Sequence, residues 1–193
     1  VQGAQKGKKL FGVLAQKDPD TETPGGEHLH SVGTLVQMVK SFKMPDGNIT
    51  AILQGKRRFR IIEVISEEPF LKAKVEYLND IKAADSTEFR ALIQHIREMA
   101  MDIIQESPNI PTEAQIAVKN IESDTFLIHF IASNMNLDVE KKQAILEEDD
   151  ISKRTNAVLK HLSYEKHLLE VKNDIANRCL LYTSDAADER HCV

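Results

Sequence analysis

The sequence predicts an α+β chain, a β-rich first half followed by a helical second half. All eight glycines lie at or before Gly55, so the residue that marks tight turns and bulges is confined to one end. Within that end, Met44 to Ile65 (MPDGNITAILQGKRRFRIIEVI) follows an apolar-rich run, Val32 to Phe42, across a Pro45-Asp46-Gly47-Asn48 turn. Beyond Asp80 the chain turns to Ala, Ile, Leu, Glu and Lys, with apolar residues at helical spacing. This shift places the boundary within residues 79–86, giving a β lobe over 1–80 and a helical lobe over 81–178.

In the β lobe, Lys9 to Gln16 reads as a short strand and Lys17 to Glu27 as a polar Pro/Gly loop. Leu29 to Phe42 reads as one long strand or two bulged ones. The turn leads into Ile49 to Leu53. Gln54-Gly55 then marks a turn or bulge before Arg57 to Ile65. Glu67-Glu68-Pro69 breaks that strand. Leu71 to Leu78 alternates, with Leu71, Ala73, Val75 and Tyr77 on one face and Lys72, Lys74 and Glu76 on the other. Short strands at turn-marked intervals suggest a small barrel or sandwich.

In the helical lobe, Asp85 or Ser86 can cap a helix with the stripe Phe89, Leu92, Ile93, Ile96, Ala100, Ile103 and Ile104. Thr112 can cap a short helix to about Lys119, Asp124 an apolar one over Thr125 to Met135, and Asp138 one from Val139 to Leu146. The acidic run Glu147 to Asp150 closes that helix and caps a long last helix from Ile151 to about Asn177. Of its apolar positions Ile151, Val158, Leu159, Leu162, Leu168, Leu169, Val171 and Ile175, the later ones are sparser, as expected of a rod that leaves its bundle and meets a partner helix. Cys179 to Glu189 (CLLYTSDAADE) resembles the translation of a sequencing-library adapter, so residues 179–193 are expected to be an artefact tail.

The chain has 193 residues, 41% hydrophobic and 28% charged, a composition that suits one large or two small globular domains. No apolar run approaches the roughly 18 residues of a membrane span, so no membrane partner is expected. VQGAQKGKKLFG has no apolar signal-peptide core, and the missing initiator Met points to a chain that begins mid-protein. Residues 1–80 carry 12 Lys+Arg against 10 Asp+Glu, and residues 81–193 carry 13 against 20. Neither half has the basic excess of a general nucleic-acid binder. The only cysteines, Cys179 and Cys192, lie in the tail, which fits a reducing compartment.

The chemistry-bearing residue types are few. No GxxxxGK[ST], GxSxG or HExxH motif occurs, so neither a cofactor site nor a catalytic residue is expected in this chain. His28 and His30, two apart, would share a strand face as half of a metal site, but no Cys or third His lies nearby, and surface histidines are the expectation. His129 reads as a packing histidine, and His161 and His167 as solvated. Lys56-Arg57-Arg58-Phe59-Arg60 is a basic cluster with an aromatic inside it, as RNA-binding barrels use. On a strand its residues would alternate between faces, and pairing with the carboxylates of the helical half is expected instead. Glu147 to Asp150 lacks the spacing of a calcium loop. Phe42 and Met44, beside the turn, either finish the core or form an adaptable binding patch.

Phe11-Gly12-Val13-Leu14-Ala15-Gln16-Lys17-Asp18-Pro19, Leu29-His30-Ser31-Val32-Gly33-Thr34 and MPDGNITAILQGKRRFRI together resemble the N-terminal domain of the bacterial ATP-dependent protease Lon. Gln143-Ala144-Ile145-Leu146-Glu147 and the helix after it are similar to the helical part of that domain, so the resemblance spans about residues 9–178. It implies a PUA-like β lobe, then a helical bundle ending in a long helix. It also implies capture of unfolded or damaged polypeptides and assembly into a cytoplasmic hexamer. In the family, an ATPase module using ATP and Mg and a Ser–Lys endopeptidase domain follow; no residue here matches their motifs. The family's apolar opening strand has no counterpart either, which predicts an uncovered sheet edge and an aggregation-prone β lobe. Phe42, Met44 and Phe70 are the substrate-contact candidates. The alternatives are a standalone substrate-binding module without an ATPase and, as a third class, an RNA-binding barrel.

Overall fold

The computed structural model describes residues 10–188 apart from 46, 83–85, 108–109 and 112, with side chains described through 178 apart from 177. The chain divides into two compact units, Val1–Ile81 with Leu137–Asp149, and Lys82–Asn136 with Asp150–Val193.

In the first unit, β1 (Leu10–Val13), β2 (Val32–Lys43), β3 (Ile49–Ser66) and β4 (Lys72–Tyr77) form an antiparallel sheet in chain order. The expected turn joins β2 to β3. Met44 N donates to Asn48 O at 2.8 Å and Gly47 N to Met44 O at 3.0 Å. Gly47 has φ +87°, which only a residue without Cβ adopts freely. The two strands expected after the turn are one, with a register shift where Gln54-Gly55 was expected to turn or bulge. Leu35 pairs with Arg57 and Val36 with Gly55, leaving Lys56 as the extra residue. A second shift leaves Val39 unpaired between Met38 and Lys40. Among the described residues the sheet is open rather than a closed barrel, because no pairing joins β1 to β4.

Val32, Val36, Met38 and Phe59 are the buried apolar residues of the sheet. Gly33 faces Phe59 across the ladder, where a Cβ would run into the Val13 carbonyl oxygen and come within 2.7 Å of Leu14 Cδ2. Backbone cannot give way as a side-chain tip can. Gly33→Ala is therefore expected to lower unfolding free energy by about 2–3 kcal/mol. An unfolding free energy from urea titration within about 0.5 kcal/mol of the parent chain's would contradict this close approach.

A short helix from the second half of the sequence completes this unit. It is the fourth helix in chain order, α4 (Val139–Glu147), and one boundary near residue 80 did not anticipate its return. Ile145 is buried. Gln143, 5% exposed, donates from Nε2 to Val32 O at 3.0 Å and to Glu147 Oε1 at 2.7 Å. A buried amide with both partners in place fixes the docking of α4 on β2.

The second unit holds α1 (Thr87–Glu106), α2 (Glu113–Asn120), α3 (Asp124–Asn134) and α5 (Ile151–Asp188). The α1 stripe packs as its spacing predicts, with Ile93, Ile96, Ala100 and Ile103 buried. Ser86 caps it, its Oγ accepting from Phe89 N at 3.1 Å; Asp85 and Thr112, the other expected caps, lie outside the described residues. Ser123, not Asp124, caps α3, and Leu127, Ile128, Ile131 and Ala132 form its buried side. Asp138 flanks α4 as expected but makes no side-chain cap bond; its carboxylate pairs instead with Lys141 at 2.7 Å. Asp150 caps α5 as predicted, Oδ1 accepting from Ser152 N at 2.8 Å and Lys153 N at 3.2 Å.

Ile151, Arg154, Thr155, Val158 and Leu162 are the buried residues of α5 among those described. Lys166 of α5 meets Asp102 of α1 at 2.7 Å. That hydrogen bond holds the ammonium pKa above its usual value, so the exposed tie is complete at neutral pH and fades as pH rises past the lysine range. The helix runs past its expected end at Asn177 to Asp188. Neither Gly nor Pro occurs between Asn177 and Asp188, and Leu and Ala are good helix formers, so nothing there stops the helix whatever the segment's origin.

Candidate functional site

Beyond the base of the sheet, β2 and β3 continue as a two-stranded arm. Among the described residues, β1 pairs with β2 no farther toward the tip than Gln37, and β4 pairs with β3 only from Phe59 onward. From Met38 to Lys43 and from Ile49 to Leu53 the two strands pair with each other alone, among the described residues. A two-stranded ribbon is marginal in water, so side chains that find no cover along it stand out. Val39, Phe42, Met44, Ile49, Ile52 and Leu53 are all exposed. The Val39 bulge contributes by reversing the alternation, so Met38 shares a face with Leu53 while Lys40 shares one with Ile52.

Phe42 and Met44 thus lie together near the tip, 41% and 45% exposed, and they do not finish the core. The Lys40 ammonium sits 4.9 Å from the Phe42 ring centroid, leaving an apolar surface with cationic margins. Phe70, 58% exposed, lies elsewhere, in the loop between β3 and β4. Phe42 pairs opposite Thr50, whereas Phe70 follows the far end of β3 near Ser66, which pairs with Lys72. At about 3.3 Å per residue the two aromatics are on the order of 50 Å apart along the strand. Bulges leave Ile62 and Ile65 exposed toward the Phe70 end. The arm positions Val39, Ile49, Ile52 and Leu53 were not singled out from sequence. Their alternation reads as ordinary strand, and only the lack of a third strand among the described residues makes them a surface.

The basic cluster does not form one patch. Arg58 is 6% exposed. Its Nη1 donates to Leu146 O at 2.7 Å and Glu148 O at 3.3 Å, closing the C-terminus of α4. Its Nη2 lies 2.6 Å from Asp80 Oδ1 and 3.0 Å from Asp149 Oδ1. Arg57 donates to Asn79 Oδ1 at 2.5 Å and stacks on Tyr77, and Phe59 is buried. The acidic run is divided too: Asp149 pairs with Arg58, Glu147 accepts from Gln143, and Asp150 caps α5.

His28 ends a 3-10 turn, its Nδ1 accepting from Gly25 N at 3.2 Å, and His30 precedes β2, so the two do not share a strand face. His129 packs as expected, with Nε2 3.2 Å from Arg154 Nη1. Among the described residues no group of three His, Cys, Asp or Glu could hold a metal ion, and no helix is long and apolar enough to cross a membrane.

Residues 2–164 match the family described as the ATP-dependent protease La (LON) substrate-binding domain. The chain belongs to that family. It is 42% identical over 179 residues to the Lon protease of Flavobacterium johnsoniae, covering 92% of this chain and 22% of the relative. It is 43% identical over 171 residues to the Lon protease of Cytophaga hutchinsonii, covering 88% and 21%. The chain therefore spans about a fifth of the length of these Lon relatives. The fold is that of a Lon N-terminal domain: a solved N-terminal domain of Mycobacterium avium complex Lon protease superposes with a TM-score of 0.60 at 17% identity. The likeness covers 79% of this chain and 90% of that one.

Proposed function

We propose that this chain is the substrate-recognition and assembly domain of a cytoplasmic, hexameric, ATP-dependent serine endopeptidase that degrades misfolded and short-lived regulatory proteins. It captures unfolded or damaged polypeptide on the β2–β3 arm. The observation that carries this reading is the arm itself, a ribbon of exposed Val39, Phe42, Met44, Ile49, Ile52 and Leu53 with no third strand among the described residues. Such a surface suits a partner that offers apolar side chains in many sequences. ATP and Mg, and the Ser–Lys chemistry, belong in this proposal to other domains of the whole protein. Several copies of the arm in one ring would raise a weak single-site affinity by avidity. Family membership and the name of its relatives support the reading.

The purified chain should bind unfolded casein weakly and hydrolyse neither peptide nor ATP. Casein cleavage abolished by a substitution within this chain would overturn the assignment.

A further inference from the structure

We propose that the arm takes its substrate as an added β-strand along the outer edge of β3, from Ile49 to Lys56, and that it prefers extended apolar segments flanked by carboxylates. This rests on the reading of the arm as the polypeptide-binding surface and specifies how it binds. β4 covers the outer edge of β3 only from Phe59 onward. Past Tyr77 the chain follows β3 no farther than Leu78, whose N–H donates to Arg58 O at 3.1 Å, and Asn79, whose side chain accepts from Arg57. It then departs, with Ile81 N donating to Asp149 O at 2.9 Å. The line of β4 is therefore left vacant beside Ile49 to Lys56 among the described residues.

The vacancy has a chemical signature. An edge strand presents alternating N–H and C=O groups that another extended backbone matches in spacing and sign. Natural edges are blunted with Lys, Pro or inward charges. ITAILQG, from Ile49 to Gly55, contains none of these. Main-chain pairing would supply affinity independent of sequence, which suits unfolded chains that share only their backbone. Exposed Ile49, Ile52 and Leu53 would add apolar contacts to alternate side chains of the incoming strand.

The charge around the edge selects further. Between Met38 and Arg57 the sequence has Lys40, Lys43, Lys56 and Arg57 against the single carboxylate of Asp46, in a chain whose net charge is −5. Lys43 pairs opposite Ile49 near the tip, and Lys56 stands at the base, so cations lie near both ends of the vacant edge. A segment with an acidic residue at each end would meet them, and one ending in lysines would be repelled.

The test uses the full chain and a fluorescent peptide of about eight residues, alternating valine and threonine between terminal glutamates. Its comparators are the same peptide N-methylated through its core and one with lysines for the glutamates. The parent peptide should bind and slow amide exchange across Ile49 to Lys56. N-methylation should weaken it at least tenfold, and lysine ends several-fold at low salt, with that second difference shrinking as salt rises. Equal binding of parent and N-methylated peptides would overturn strand addition while leaving polypeptide capture by the arm in place. Equal binding of glutamate- and lysine-ended peptides would overturn the charge preference. Exchange protection of Ile49 to Lys56 that grows with chain concentration, without peptide, would assign the edge to a second copy and overturn the proposal. Failure to bind unfolded casein at all would remove the underlying function instead.

Discussion

Arg58→Met should destabilise the sheet unit by about 3–5 kcal/mol, the usual consequence of removing one partner from a buried ion pair. Methionine restores much of the volume but none of the donors. Asp80 and Asp149 would face each other without the guanidinium, and the Leu146 and Glu148 carbonyls at the end of α4 would lose their donor. Leaving partly buried acceptors unpaired costs more than the original pairs contributed. Arg58→Lys should recover only part of the loss, because a single ammonium cannot hold two carboxylates and two carbonyls in the planar fork that Arg provides. Thermal and urea unfolding would measure the change, and hydrogen exchange would place it at α4 and the base of β2 and β3. A Tm for Arg58→Met within about 2 °C of the parent would show that the cluster does not hold this unit together.

Arg58 also marks how far the sequence could be read. The turn at Pro45 to Asn48, the irregularity at Gly55, the α1 stripe and the Asp150 cap are local patterns, and each appears where its spacing puts it. The partners of Arg58 lie 22 and 88 residues away, at Asp80 and Leu146, so its burial could not be inferred from a cluster of neighbouring cations. For the same reason α4, helical by pattern, was assigned to the helical half, although Gln143 binds it to β2. Exposure was the least legible property. Alternation along Ile49 to Leu53 is the same whether or not a third strand lies beside it, so Phe42 and Met44 could be singled out only as a patch or as core. Phe70 was grouped with them because composition carries no information about which end of a strand a loop occupies.

That separation makes the effect of removing the tip side chains specific. Phe42→Ala with Met44→Ala should leave folding nearly unchanged, since both side chains are exposed and neither lies in the core. Affinity for unfolded polypeptide should fall by about 2–3 kcal/mol, roughly thirty- to a hundred-and-fiftyfold, if each side chain is largely covered by substrate. Phe70→Ala should behave differently according to the length of the ligand. A peptide of about eight residues spans only about 26 Å when extended, so one paired along the arm follows only about half of the length of β3 between Phe42 and Phe70. Phe70→Ala should therefore leave short-peptide affinity at the arm unchanged and weaken only a long unfolded chain that reaches both ends. In the long-chain assay Phe70→Ala should add to the Phe42→Ala and Met44→Ala double variant, because the two ends of β3 share no partners. Equal weakening of short-peptide binding by Phe42→Ala and Phe70→Ala would mean that one ligand contacts both, and the arm would no longer be a separate site. Unchanged casein binding by the Phe42→Ala and Met44→Ala double variant would remove the tip from the substrate surface altogether, leaving only the β3 edge to carry recognition.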